Sequence, residues 1–358
     1  MKAPRHHARL RLRRSCASAA VAMIGLLVGA GGSAAAASAG GSARPAGGPP
    51  PAPGTSCAAP AAMPSGPAVV SAASSAYGRV LVVGSGPSSG CSLYYLTSDQ
   101  PQTSTYACTD TAASSSGPEC DVDVWPALLT DGPPVAGPGV NPTLLGTVSR
   151  TDVLSGQTVQ QVTYDGKPLY RFFADKAPGQ TSGEDLFDSF TRPPGVWYLV
   201  SPARGLAAPG TAVLSPLSAT VETSSGSSTE TILSVSMLGD NFSPPAIEPR
   251  QFPVYTFSAD SGHQSSCTPA NVVSGNVCSV IWPPVLTTGR PQATGGLDPH
   301  GLGIVVRPDG SHQVTWDGHP LYLFVKDALP TTAAGTAVGD GLGSQFGGTG
   351  FQVVPLGS

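Results

Sequence analysis

The strongest constraint on this chain is that it contains one pattern twice. Trp125-Pro126-Ala127-Leu128-Leu129-Thr130-Asp131-Gly132 returns as Trp282-Pro283-Pro284-Val285-Leu286-Thr287-Thr288-Gly289, and Gly146 and Arg150 return as Gly303 and Arg307, all at an offset of 157 residues. Gln161-Val162-Thr163-Tyr164-Asp165-Gly166-Lys167-Pro168-Leu169-Tyr170 returns as Gln313-Val314-Thr315-Trp316-Asp317-Gly318-His319-Pro320-Leu321-Tyr322 at an offset of 152, so copy one carries five extra residues between these blocks. A collinear series of this kind is a duplicated structural unit. Composition says which kind. With 45 Gly and 37 Pro in 358 residues and only 11% charged side chains, the chain lacks material for charged helix faces. That argues against helix bundles, coiled coils and doubly wound α/β folds, and for short strands joined by turns.

A shorter motif recurs inside each copy: Tyr, any, aromatic, any, any, Asp. It is carried by Tyr170, Phe172 and Asp175, by Tyr255, Phe257 and Asp260, and by Tyr322, Phe324 and Asp327; Tyr94 and Asp99 repeat it with Leu96 in the aromatic slot. The expected fold is therefore all-β, with two tandem modules, 76–203 and 231–358. Each is built of two β-meander or hairpin halves that close as a small barrel or a propeller-like ring. The Ala/Gly/Pro/Ser stretches 40–75 and 204–230 read as disordered linkers.

Asp165-Gly166 and Asp317-Gly318 suit two-residue type I′ hairpin turns, which place Tyr164 opposite Lys167 and Val162 opposite Leu169. Alternation then puts Tyr170 and Phe172 on one face as a core stripe, with Asp175 at the strand end, where it can accept backbone N–H groups. Binding of a cation or polar ligand by Asp99, Asp175, Asp260 and Asp327 is the functional reading of the same pattern.

Residues 1–39 read as a secretory signal peptide: six basic residues and no acid, an apolar run from Ala19 to Ala30, and Ala37-Ser38-Ala39 as cleavage site. Without the leader, twelve basic residues face 22 acidic ones, so the formal charge moves from −4 to −10. An acidic chain without a basic stripe is a poor binder of nucleic acid. After cleavage no transmembrane segment is expected.

Six cysteines remain, an even number in an exported chain, and none is spaced C-x-x-C. Position within the repeat pairs Cys108 with Cys120 and Cys267 with Cys278, leaving Cys57 and Cys91 to pair by elimination. Gly86-Pro87-Ser88-Ser89-Gly90 spells a nucleophile-elbow motif, but the residues after it read as strand where an elbow needs a helix. His263, His300, His312 and His319 all lie in copy two, with no partner at metal-ligand spacing. No cofactor is expected.

The Tyr/aromatic/Asp motif, the Trp-Pro blocks and the Gln-Val-Thr-aromatic-Asp-Gly blocks resemble a bacterial secreted or lipoprotein repeat family of unknown function, over roughly residues 77–202 and 231–357. No Cys follows the apolar run at the distance a lipid anchor needs. The resemblance implies an envelope or extracellular location and this fold, and no transferable chemistry. The chain thus reads as a secreted or envelope non-enzymatic binding or structural module for an unidentified envelope or extracellular ligand. The competing reading is a redox- or metal-associated protein using the Cys pairs, exposed aromatics or copy-two histidines.

Overall fold

The computed structural model describes residues 57–357 apart from positions 60, 62, 101–103, 110–119, 152–155, 190 and 243–244. The expected signal peptide and most of the expected N-terminal linker lie outside the described residues. The rest is strand and turn, with helix confined to single turns such as Cys278–Ile281. Both Asp-Gly turns have φ > 0 at both residues, 49° and 73° in copy one, 47° and 83° in copy two. They set Tyr164 opposite Lys167 and Trp316 opposite His319.

Two stretches expected as linker are structured. Val69–Ser75 pairs antiparallel with Gly78–Val83, and Val213–Thr223 pairs antiparallel with Gly226–Phe242. These are equivalent hairpins. Val69 pairs in parallel with Val135 and Val213 with Gln292, two positions 157 residues apart. Leu81 N–H donates to Val200 C=O as Leu233 N–H donates to Val354 C=O, both at 2.8 Å. Copy two therefore begins with the Val213 strand, before residue 231. The low-complexity composition misleads because few apolar residues suffice to feed two cores: Leu214 is buried with Leu233 and Val235 of the returning strand on one face, and Ala219 and Val221 with Ile232 on the other. Ser218, Thr220 and Thr223 are exposed, Ser215 and Ser234 are buried with the Ser234 hydroxyl donating to Ser215 C=O, and Ser224-Ser225-Gly226 is the hairpin tip.

No sheet among the described residues closes into a barrel. Instead the sheet that includes Val213–Thr223 and Gly226–Phe242 runs on through Leu186–Asp188, Gly195–Leu199 and Tyr94–Leu96 of copy one. The copies are thereby stitched edge to edge. Three apolar cores result among the described residues. One holds Tyr94, Trp125, Phe172 and Trp197 of copy one; its counterpart holds Tyr255, Trp282, Phe324 and Phe351 of copy two. The third is shared, with Leu81, Val162 and Val196 packed in one cluster with Leu233, Val285 and Val314.

Candidate functional site

In each copy the two motif tyrosines lie opposite each other on neighbouring antiparallel strands. Tyr94 and Tyr170 exchange both backbone hydrogen bonds at 2.9 Å, and Tyr255 pairs with Tyr322. Directly opposed residues share a face, and each motif Asp lies five residues beyond its Tyr. The antiparallel arrangement brings each hydroxyl to the carboxylate of the other half. Tyr94 Oη donates to Asp175 Oδ2 at 2.8 Å, and Tyr170 Oη to Asp99 Oδ2 at 2.7 Å. In copy two Tyr255 donates to Asp327 at 2.7 Å and Tyr322 to Asp260 at 2.9 Å. The other carboxylate oxygen accepts a backbone N–H: Ala107 on Asp99, Ser182 on Asp175, Ser266 on Asp260 and Val338 on Asp327, at 2.7–3.0 Å. Four motifs thus form two crossed double clasps.

The clasps enclose stacked rings. In copy one Phe172, Trp125 and Trp197 stack at centroid spacings of 4.1 and 3.8 Å. In copy two Phe324, Trp282, Phe351 and Phe257 stack at 4.3, 3.8 and 4.1 Å. Leu96 occupies the place of Phe257, so the copy-one stack is one ring shorter. Trp125 and Trp282 are at most 1% exposed, which removes them as solvent-facing stacking platforms. Trp125 Nε1 and Trp197 Nε1 both donate to Asp188 Oδ2, at 3.1 and 2.8 Å.

Burial raises the acidic groups. Asp327 is pushed up to about 7 and Asp99 to about 6, in each case by desolvation that outweighs the tyrosine hydroxyl and backbone donors. Asp175 and Asp260 move in the same direction for the same reason.

Sequence reasoning matched Arg150 with Arg307 but assigned them no task. Both are buried. Arg150 donates to Cys108 C=O at 2.9 Å and to Gln161 Oε1 at 2.8 Å, and Arg307 to Cys267 C=O at 2.9 Å and to Gln313 Oε1 at 2.5 Å. Each guanidinium thus fastens the Cys loop to the meander. Their identical spacing from the Trp-Pro block was the available signal. Glu184 and Asp340 were also missed: they cap the strand N–H groups of Leu199 and Val353.

The disulfides are Cys108–Cys120, Cys267–Cys278 and Cys57–Cys91. Copy one has one more residue between its second Cys and the Trp. It is absorbed as a π-turn over Cys120–Val124, where copy two has an α-turn, and the indoles reach equivalent places. Arg171, replaced by Leu323 in copy two, donates to Cys57 C=O at 3.2 Å and Ser88 Oγ at 3.0 Å. Ser88 sits in the turn closed by Gly90 N–H to Val83 C=O, with no helix after it. His263, His300, His312 and His319 are exposed, and His300 pairs only locally, with Asp298 at 2.6 Å. No group of His, Cys, Asp and Glu among the described residues is arranged to hold a metal ion.

Fold and clasps together define a duplicated, disulfide-tied all-β module. Residues 156–199 and 303–344 each match the model of a family described as a secreted repeat of unknown function. One match falls in each copy, and the family's description agrees with an extracellular or cell-envelope location. No curated protein and no solved structure matches it. No helix among the described residues is long and apolar enough to cross a membrane.

Proposed function

We propose that this chain is a secreted, non-enzymatic binding or structural module, in which the repeated Tyr, aromatic and Asp residues lock the fold and leave ligand recognition to the surface. One observation supports this above the rest: the crossed pairing, in which each motif carboxylate takes a tyrosine hydroxyl from the opposite half and a backbone N–H besides. Oxygens engaged in this way are poorly placed to converge on a cation, which calls for six or more oxygen ligands. Stacked, buried rings likewise offer no face to a sugar or quinone.

Calorimetric titration with Ca²⁺ and other divalent cations, together with thermal melts, tests the reading. The expected result is no stoichiometric binding, and a lowered melting temperature for Asp99→Asn and Asp260→Asn without any metal dependence. Stoichiometric cation binding abolished by Asp99→Asn would overturn it.

A further inference from the structure

The two copies treat one edge differently. In copy one, Leu186–Asp188 is flanked on the inner side by Gly195–Leu199 and on the outer side by a strand from copy two. That outer strand runs parallel, with Leu238 opposite Leu186 and Gly239 opposite Phe187, and Leu238 N–H donates to Asp185 C=O at 3.1 Å. Leu186 is 2% exposed, in the copy-one core against which Leu238 packs.

Copy two has the same ledge. Gly183-Glu184-Asp185-Leu186 corresponds to Gly339-Asp340-Gly341-Leu342, and three structural features agree with that match. Gly183 N–H and Gly339 N–H lie 3.4 and 3.3 Å from the hydroxyls of Tyr94 and Tyr255. Glu184 and Asp340 cap equivalent strands. Asp185 and Gly341 both have positive φ, 57° and 73°. The inner side of this ledge is bound as well, with Phe351 N–H on Leu342 C=O at 2.7 Å. Among the described residues no strand pairs with its outer side. Leu342 is 46% exposed, and Gly341 C=O, counterpart of the acceptor at Asp185, takes no hydrogen bond among the described residues. From there the chain turns away at Gly343 (φ 85°) into the single turn Ser344–Phe346.

The missing cover cannot come from copy one. The strand that covers Leu186 belongs to the long hairpin of Gly226–Phe242 and Pro245–Pro253. At the corresponding place copy one has only the tight turn closed by Gly90 N–H on Val83 C=O. Copy two therefore donates a strand and receives none. A second molecule could supply its own Leu238 strand only by uncovering its own Leu186.

We propose that the Gly341–Leu342 ledge is an acceptor for an extended strand of another protein, docking in parallel with an aliphatic residue over Leu342 and a small residue after it. The occupant's chemistry is read from Leu238-Gly239 on copy one. Backbone pairing makes the contact tolerant of sequence, with the aliphatic anchor giving its selectivity. A ladder this short implies weak binding.

NMR titration of the ¹⁵N-labelled secreted chain with a peptide of residues 234–241 tests the idea. Saturable shifts at the amides of 341–344 are expected. They should weaken at least tenfold with Leu342→Asp, and with a peptide carrying Leu238→Asp. The proposal rests on the binding-module reading, but Leu342 lies outside the clasps, so Leu342→Asp should keep the parent melting temperature while losing the peptide. No shifts at 341–344 at millimolar peptide, or shifts indifferent to both substitutions, would sink the proposal. Concentration-dependent dimers in sedimentation that Leu342→Asp abolishes would reassign the ledge to a second copy of the chain, and overturn it equally.

Discussion

The hydroxyl of Tyr94 lies 2.8 Å from the carboxylate of Asp175, a residue 81 positions further along the chain. The bond crosses from one half of the module to the other and is matched by Tyr170 on Asp99. Tyr94→Phe removes a buried donor and leaves a desolvated carboxyl short of a partner, at a cost of about 1–3 kcal/mol. Urea denaturation of Tyr94→Phe, Asp175→Asn and the double variant should give a coupling of about 1 kcal/mol. Strict additivity would remove the clasp as a stabilising element.

How far this was legible can be seen residue by residue. Alternation around Asp165-Gly166 gave the hairpin register, because a two-residue turn fixes pairing locally. The same alternation put Tyr170 and Phe172 on a core face, where both are buried. It could not reveal that the tyrosine hydroxyls cross to the opposite half, since nothing in a single motif says which strand lies beside it. The Val213–Thr223 strand reads as linker because Ala207-Ala208-Pro209-Gly210 precedes it and Ser224-Ser225-Gly226-Ser227-Ser228 follows it. Its structure comes from tertiary cover, which overrides composition.

The buried acids set a pH dependence whose sign can be worked out. Asp327 is raised to about 7, and Asp99 and Asp185 to about 6, all chiefly by desolvation; Glu184, Asp175 and Asp260 are raised too. Unfolded, these groups titrate near ~4. The folded state therefore holds more protons between roughly pH 4 and 7, and stability is lost as pH rises through that window. The melting temperature should fall between pH 4.5 and 8, and Asp327→Asn should flatten the slope. A melting temperature that climbs over the same range would refute this assignment.

The three disulfides predict that the secreted chain, unfolded without reductant, shows no free thiol to a colorimetric titrant. The Cys267–Cys278 bridge spans 11 residues and restrains the unfolded chain by about 3 kcal/mol in the entropic account. Replacing both cysteines by Ala should lower stability by that order in urea. Two or more reactive thiols per molecule would reopen the redox reading.

Asp188 offers the sharpest comparison between copies. It accepts both indole N–H groups of the copy-one stack, from Trp125 and Trp197. In copy two the position of Trp197 is held by Phe351, which has no N–H, and that of Asp188 by Ser344. The carboxylate and the second indole thus occur together and are absent together. Asp188→Ser alone leaves two buried donors unsatisfied and should cost on the order of 2–3 kcal/mol. Trp197→Phe in the same chain removes one of them and imports the copy-two pairing. The double variant should therefore be more stable than the sum of the single losses predicts, by about 1 kcal/mol or more. Denaturant midpoints of the three variants decide it. If the losses simply add, the two indoles are not what Asp188 is there to satisfy.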